Sequence, residues 1–270
     1  MLNNIINNKA TRLFIILGGF FITNALIAEV IGTKIFSLEK TLGIRPADFR
    51  FFGESFSFNL TAGVLLWPVV FIMTDVINEY YGPKGVKFLS ILTIGLIAFS
   101  FVAFLGATSL TPADFWATNN YKGVPDSNAA FSGIFGQSQA IIIASLIAFL
   151  IGQLLDVFIF HKIKKMTGEK NIWLRATGST LVSQFIDSFV VLFIAFYVAP
   201  RLSDHSRPGA SQPWSFSLVM AICLGNYIYK FLVAVVLTPV IYLAHGWIEN
   251  YLGKPLAEEM KEAAMGRISK

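Results

Sequence analysis

Long apolar runs separated by short polar connections are the dominant pattern of this chain. Six of these runs reach the length of about 20 mostly apolar residues that a helix needs to cross a bilayer. They cover residues 12–36, 60–80, 86–108, 137–160, 174–199 and 215–244. We therefore predict an all-α membrane protein in which six transmembrane helices form one bundle, with residues 1–270 as a single transmembrane domain.

The composition supports this fold class. Hydrophobic residues make up 55% of the 270 residues and charged residues only 14%, whereas about a quarter of a soluble domain is charged. The first run is too long for a secretory signal peptide and contains Asn24 and Glu29, so we interpret it as a retained helix. The single cysteine, Cys223, lies inside the last run, which excludes a disulfide framework and a cysteine metal site.

Positive charges are unevenly distributed between the polar connections. If the N-terminus is cytoplasmic, thirteen Lys and Arg residues fall on the cytoplasmic side of the membrane and seven on the opposite side. This asymmetry follows the positive-inside rule, so we predict that both termini are cytoplasmic. Membrane orientation then explains the net charge of +5, and we predict no nucleic-acid partner.

Polar residues interrupt the second apolar run. Within residues 62–81 the chain places Asp75, Asn78 and Glu79 at positions i, i+3 and i+4, which lie on one face of a helix. Polar groups at membrane depth are costly, so they usually face the protein interior and carry a function. Five of the six runs contain such groups: Asn24, Glu29, Asp75, Asn78, Glu79, Gln153, Asp156, Gln184, Asp187, Asn226 and Lys230.

Lys230 lies about halfway along the last run, where a lysine costs roughly 2.5–3.5 kcal/mol on insertion scales. It therefore needs an acidic partner, and the candidates are Asp187 on the preceding helix and Glu29 on the first. The fourth and fifth runs share a Q-x-x-D spacing, Gln153 with Asp156 and Gln184 with Asp187, which weakly indicates internal symmetry.

The intramembrane set is too large for incidental contacts between helices and too varied for an ion filter, which requires a ring of like groups. A polar cavity for an organic solute fits it better. Structural roles stay open for part of the set. The groups near the inner interface could pair with Lys84, Lys87 or Arg175 at the rim, and Asp187 with Lys230 could be a structural salt bridge.

No catalytic arrangement competes with this interpretation. His161, His205 and His245 are far apart in the sequence and lack metal-ligand spacing. The chain contains no nucleophile elbow, zinc-protease motif or phosphate-binding glycine loop. We therefore predict that the protein is not an enzyme and that it uses neither a cofactor nor a metal.

Three segments point to a specific family. The second run ends in TDVINEYYG, the fifth contains SQFIDS, and the last contains NYIYK followed by TPVIY. With these segments the chain resembles the bacterial queuosine precursor transporter family, a branch of the vitamin uptake transporters. The resemblance covers all six runs in order. It implies a six-helix importer of 7-cyano-7-deazaguanine or 7-aminomethyl-7-deazaguanine in the bacterial inner membrane, with homo-oligomer formation left open.

The resemblance also suggests how the intramembrane groups bind such a base. Asp187 or Asp75 would accept the adjacent N1–H and N2–H donors, and Asn226 with Lys230 would serve the carbonyl oxygen. Gln153 and Gln184 would bind the remaining ring atoms, and an aromatic residue such as Phe185, Tyr227 or Tyr229 would stack on the ring. The predicted substrate-binding set is Asn24, Asp75, Asn78, Glu79, Gln153, Asp156, Gln184, Asp187, Asn226 and Lys230.

The driving force for uptake is left open by the sequence. Without an ATP-binding segment, the chain is a facilitator, a proton-coupled carrier or the substrate-binding subunit of an energy-coupling factor complex. Such subunits dock through small residues spaced four apart on the first helix, whereas Ala25 and Ala28 are three apart and are followed by Glu29. A cation channel or ion carrier is the remaining class.

Overall fold

A computed structural model describes residues 7–45, 49–51, 54–117, 123–136, 139–167, 172–202 and 213–265. Its helices are α1 Lys9–Ile31, α2 Leu38–Thr41, α3 Trp67–Thr108, α4 Asp114–Ala117, α5 Ser127–Phe135, α6 Gln139–Thr167, α7 Ile172–Leu192, α8 Ala199–Leu202, α9 Phe216–Leu252 and α10 Lys254–Ala264. Its strands are β1 Ile35–Ser37, β2 Phe49–Phe51, β3 Glu54–Phe56 and β4 Asn59–Thr61.

Within these described ranges, five helical segments are long and apolar enough to cross a membrane. They are Lys9–Ile31, Trp67–Thr108, Ile141–Thr167, Gly178–Arg201 and Phe216–Leu252. The strands form only two short antiparallel pairs, β1 with β4 and β2 with β3. The prediction of an all-α membrane protein is therefore confirmed.

Helix α3 contains 42 residues and is broken at Gly82. Gly82 has φ 67° and ψ −173°, a conformation that is essentially restricted to glycine, and Pro83 follows it. A β-carbon added at Gly85 would lie 3.7 Å from Ile77 Cγ2, although eight residues of straight helix separate two positions by about 12 Å. The chain therefore turns back at Gly82, and α3 consists of two legs, 67–81 and 83–108.

The first helix ends earlier than its apolar run. Helix α1 stops at Ile31, whereas the run reaches Phe36, because Ile35–Ser37 pairs as β1 with β4. The buried carboxylate of Glu39 accepts hydrogen bonds from the backbone N–H of Phe58, at 2.7 Å, and from the hydroxyl of Ser37. These contacts fold the first long loop back onto the entrance of α3.

Close packing between α1 and the segment just before α3 depends on a small residue. A β-carbon at Gly63 would lie only 2.4 Å from the carbonyl oxygen of Ala28. Ala25 and Ala28 are themselves buried. Ala25 and Ala28 of α1 thus face the bundle interior.

The C-terminal end of the bundle contains a helix that the apolar pattern does not indicate. Helix α9 continues to Leu252, beyond the predicted end at residue 244, and Gly253 with φ 87° leads into α10. Ala257 and Met260 of α10 are buried in one apolar cluster with Tyr80. A β-carbon at Gly82 would lie 3.1 Å from the carbonyl oxygen of Ala264, so α10 packs directly against the turn of α3.

Candidate functional site

A small cavity lies where α7, α9 and the first leg of α3 meet. Its lining residues recur at helical spacing on each element, so each helix contributes one continuous face. They are Pro68, Phe71, Ile72, Asp75, Thr180, Gln184, Lys230, Ala234, Leu237 and Ile241. The cavity thus brings together three of the predicted binding residues, Asp75, Gln184 and Lys230, from three different helices.

Lys230 is held in place by α7. Its Nζ donates hydrogen bonds to Asp187 Oδ2 at 2.8 Å and to Ser188 Oγ at 2.9 Å. The acidic partner that Lys230 requires is therefore Asp187. Glu29, the other candidate, accepts a hydrogen bond from the Ser145 hydroxyl.

Gln184 and Asp75 are the buried polar groups of the cavity wall. Asp75 is 2% exposed and Gln184 is 4% exposed. Gln184 Nε2 is a buried donor with no hydrogen-bond partner among the described residues. Burying such a donor without a partner costs about 1–3 kcal/mol, so a polar molecule in the cavity could recover that free energy.

A second polar feature joins the first leg of α3 to α6, and we call it the polar seam. Three contacts define it. Thr74 Oγ1 donates to Gln153 Oε1 at 2.9 Å, Asn78 Oδ1 lies 2.8 Å from His161 Nε2, and Glu79 Oε1 lies 3.1 Å from Lys164 Nζ. The predicted residues Asn78, Glu79 and Gln153 thus belong to this seam rather than to the lining of the cavity.

The Glu79–Lys164 ion pair is almost completely buried, with each side chain 1% exposed. Lys164, with Lys162 and Lys165, is one of the thirteen Lys and Arg residues that the loop count assigns to the cytoplasmic side. Gln153, Asp156, Phe160 and Lys164 follow one another at helical spacing, so Lys164 lies on the same face of α6 as the polar residues Gln153 and Asp156. That spacing is the signal that could have identified Lys164.

Asp156 contacts α7 at the side of the seam. Its Oδ1 accepts a hydrogen bond from Ser183 Oγ at 3.0 Å and a longer one from Thr180 Oγ1 at 3.5 Å. Thr180 also lines the cavity, so Asp156 orients a residue of the cavity wall from behind. Further buried polar atoms without a hydrogen-bond partner in the described part of the chain are Asn78 Nδ2, Gln153 Nε2 and Asp156 Oδ2.

Two predicted residues point elsewhere. Asn24 Nδ2 donates to the carbonyl oxygen of Phe20 at 2.8 Å, and Asn226 Nδ2 donates to that of Ile222 at 3.0 Å. Each amide thus bonds the preceding turn of its own helix, and neither lines the cavity.

The aromatic residue at the cavity is Phe71, which the sequence analysis did not single out. Phe185 and Tyr227 instead contact each other edge to face, with ring centroids 5.3 Å apart. Tyr229 packs with Leu60 near β4. None of these three lines the cavity.

The cavity has a volume of about 30 Å³, which is room for no more than a few water molecules. A carboxylate, an amide and an ammonium group converge on it, beside the ring of Phe71. This set of groups can bind a planar molecule that offers hydrogen-bond donors and acceptors along its edges. Any such molecule is larger than the cavity, so its binding requires the three helices to separate.

The described residues contain no group of three His, Cys, Asp or Glu side chains that could hold a metal ion.

The known proteins that this chain resembles are described as transporters. A family profile described as "Putative vitamin uptake transporter" matches residues 61–244. The chain is 28% identical over 205 residues to a "Probable queuosine precursor transporter" of Bacillus subtilis (strain 168), covering 73% of this chain and 76% of that protein. It is 26% identical over 211 residues to a "Queuosine precursor transporter" of Escherichia coli (strain K12), covering 77% and 81%. No solved structure matches the chain.

Proposed function

The chain belongs to the vitamin uptake transporter family, and on that premise we propose that it imports queuosine precursors into the cell. It is a multi-pass protein of the bacterial inner membrane. Similar proteins of Bacillus subtilis and Escherichia coli are named as transporters of these precursors. The observation that carries the proposal is the convergence of Asp75, Gln184 and Lys230 on one cavity, within the part of the chain that the family profile matches.

The proposed topology has six transmembrane segments and cytoplasmic termini. The turn at Gly82 supports it, because each leg of α3 would then cross the membrane separately. A straight helix of 42 residues would be about 63 Å long, roughly twice the thickness of the hydrocarbon core. The excess of Lys and Arg on the cytoplasmic side in this arrangement supports the orientation.

The cavity favours one of the two carboxylates as the ligand of the base. Asp75 lines the cavity, whereas Asp187 bonds Lys230 and is absent from the lining. We therefore assign the adjacent N1–H and N2–H donors of a 7-deazaguanine to Asp75, which can accept both. Lys230 would donate to the carbonyl oxygen, and Gln184 Nε2 to a ring or carbonyl acceptor.

The apolar lining suits the flat ring of the base. Phe71 and Pro68 lie on the same face of α3 as Asp75, so a base bound at Asp75 would contact the Phe71 ring. Ala234 and Leu237 lie one and two turns beyond Lys230 on α9 and provide the opposite apolar wall. In this arrangement the polar groups fix orientation and the apolar groups supply contact area.

Each of the three cavity-lining helices contains or adjoins an irregularity that can act as a hinge. Helix α3 is broken at Gly82, the six residues Phe193–Val198 after α7 are π-helical, and α9 contains Pro239. Proline removes one backbone hydrogen bond, and π-helical turns locally weaken the regular ladder. Bending at these places would widen the cavity enough to admit a base.

The polar seam lies on the Gly82 side of the cavity, which is the cytoplasmic side in the proposed topology. The contacts Asn78–His161 and Glu79–Lys164 join α3 to α6 there. We therefore assign the seam to the inner gate, which would open for release into the cytoplasm.

The energy-coupling factor alternative predicts small residues on an outward face of the first helix. Ala25 and Ala28 are 0% and 1% exposed, and Ala28 packs against Gly63 within the bundle. This packing favours a self-sufficient carrier. Purification of the tagged protein should therefore bring down no ATPase subunits, and stoichiometric co-purification with them would favour the alternative.

The deciding experiment measures rescue of queuosine in tRNA. The host cells lack both their own importer and the synthesis of 7-deazaguanines, and they are supplied with 7-cyano-7-deazaguanine or 7-aminomethyl-7-deazaguanine. Expression of this chain should restore queuosine and uptake of the labelled base. The proposal fails if the chain is present in the membrane and queuosine stays absent with both bases.

Variants then test the assigned roles by direct binding to purified protein. Asp75→Asn replaces an acceptor of two hydrogen bonds by a group that also donates, so affinity should fall by about 100-fold. Lys84→Gln is the matched control, because Lys84 is exposed beyond the Gly82 turn and should leave affinity unchanged. Unchanged affinity in Asp75→Asn would remove Asp75 from the site.

A further inference from the structure

A second, much larger space lies at the periphery of the helix bundle, between α1, α9 and the first leg of α3. It has a volume of about 590 Å³, within the range of roughly 300–1,000 Å³ typical of ligand pockets. Its walls are almost entirely apolar. They are formed by Leu13, Ile16, Leu17, Phe20, Val69, Ile72, Met73, Val76, Ala244, Trp247, Ile248 and Tyr251.

This groove faces away from the bundle. Three of its wall residues are largely exposed at the surface of the chain, Ile16 at 56%, Phe20 at 62% and Trp247 at 79%. They lie on transmembrane helices, so the groove opens toward the lipid tails. An apolar groove in that position must be filled by a hydrocarbon chain or by protein.

One end of the groove is basic. Next to Leu13 and Tyr251, Arg12 Nε donates to the Tyr251 hydroxyl at 2.7 Å, and Lys9 Nζ donates to the Tyr251 carbonyl oxygen at 2.9 Å. Both basic side chains are exposed, and no carboxylate of the described residues pairs with either. Because lysine has three N–H donors and arginine has five, each retains donors for an external anion.

We propose that this groove is a binding site for an anionic phospholipid. One acyl chain would occupy the apolar groove, and the phosphate would be bound by Lys9 and Arg12. The amphiphilic layout selects this occupant, since the cations lie at one end only and the walls beyond them are apolar except for the indole N–H of Trp247. A second copy of this chain would have to bring an acidic group to that end. The site is independent of the proposed transport function.

The groove and the smaller cavity share one wall residue. Ile72 lines both spaces. An acyl chain in the groove would therefore press against the back of the wall that carries Phe71 and Asp75.

Quenching of Trp247 by brominated lipids tests the site, because Trp247 is a wall residue. The purified full chain is reconstituted in phosphatidylcholine vesicles that contain a minor fraction of phosphatidylglycerol or phosphatidylcholine brominated on its acyl chains. The Trp247 signal is the difference between the unmodified protein and Trp247→Phe. We expect brominated phosphatidylglycerol to bind about 25-fold more tightly than brominated phosphatidylcholine, since each of the two basic residues contributes about a fivefold factor.

Two double variants separate the site from general surface charge. Lys9→Gln/Arg12→Gln should abolish the preference for phosphatidylglycerol, whereas Lys84→Gln/Lys87→Gln removes the same charge at exposed positions and should retain it. Ala244→Phe fills the groove and should reduce quenching by both lipids. Because Ala244 borders an open groove, this variant keeps the bundle packing, and retained elution as a folded protein verifies that.

Three results would overturn the proposal. Equal quenching by both brominated lipids would mean that the groove holds bulk lipid without headgroup selection. An equal loss of preference in the two double variants would mean that overall charge attracts the lipid. Protection of Trp247 from both lipids that rises with protein concentration would mean that a second copy covers the groove.

Discussion

The buried ion pair of the polar seam gives the sharpest test of the structure. Glu79 and Lys164 lie 3.1 Å apart and are each 1% exposed. At an effective dielectric constant of about 20, two charges at that distance attract each other by roughly 5 kcal/mol. Glu79→Gln removes this attraction and leaves the Lys164 charge buried without its carboxylate, a change that costs about 3–5 kcal/mol in proteins.

A double variant tests whether this loss of stability comes from burying a single charge. Glu79→Gln/Lys164→Met removes both charges and keeps the approximate side-chain volumes, so the stability should return to within about 1 kcal/mol of the unmodified protein. The coupling energy from the double-mutant cycle should therefore be about 3 kcal/mol or more. Such a value is far above the range of about 0–1 kcal/mol for exposed ion pairs.

Equilibrium unfolding in mixed micelles measures these free energies. The fraction of SDS in a mild detergent is raised, and loss of the native fold is followed for all four corners of the cycle. Lys162→Met is the matched control, because Lys162 is an exposed lysine in the same helix as Lys164 and should change stability by less than about 0.5 kcal/mol. Binding of 7-deazaguanine at low SDS should persist in Glu79→Gln, since Glu79 does not line the cavity.

A small effect of Glu79→Gln, below about 1 kcal/mol, would show that water or lipid headgroups solvate the pair and that the seam is open. A double variant as unstable as the single one would show that Lys164 does not depend on Glu79. Either result would refute the placement of this pair inside the bundle.

Three further predictions follow from the packing and the cavity. Asp187→Asn/Lys230→Met removes the ion pair without leaving a lone charge, so its unfolding free energy should change less than that of Lys230→Met. Both variants should lose binding of the base. Retained binding in the double variant would mean that Lys230 has only a structural role. Gly63→Ala brings a β-carbon within 2.4 Å of the Ala28 carbonyl oxygen and should destabilise the fold by more than about 2 kcal/mol. Gly19 has open space around it, so the control variant Gly19→Ala should stabilise the fold by about 0.5–1 kcal/mol in the same assay. Gly82→Ala forces a side chain into a glycine-only conformation and should cost about 1–3 kcal/mol; an unchanged unfolding curve would contradict the turn of α3.

The sequence predicted those features that depend on one strong physical requirement. A midplane lysine must have an acidic partner, and Asp187 is that partner. Likewise, apolar length is a direct consequence of bilayer thickness, and the membrane class followed from it. Glycine followed by proline at residues 82–83 separates the second and third predicted runs, and the chain turns there.

Features that depend on competition between alternative hydrogen-bonding or packing partners could not be predicted from the sequence in the same way. Asn24 and Asn226 are polar groups at membrane depth, yet each satisfies its amide on the preceding turn of its own helix. Nothing in their spacing distinguishes this outcome from a cavity position. The end of α1 at Ile31 depends on pairing between β1 and β4, two segments more than twenty residues apart in the chain. The C-terminal helix α10 is too polar for a transmembrane pattern, and its position depends on its contacts with Tyr80 and Gly82 of α3.

Burial of Lys164 also bears on the predicted orientation. A lysine inside the bundle and paired with Glu79 carries no net charge into a connection, so it does not belong in the loop count. Without it, twelve Lys and Arg residues remain on the cytoplasmic side against seven on the other. Since the excess persists, the prediction of cytoplasmic termini does not depend on the residue that the sequence misplaced. The same burial gives Lys164 a different role, because a cation held between α3 and α6 stabilises the contact that would have to break in the proposed inner gate.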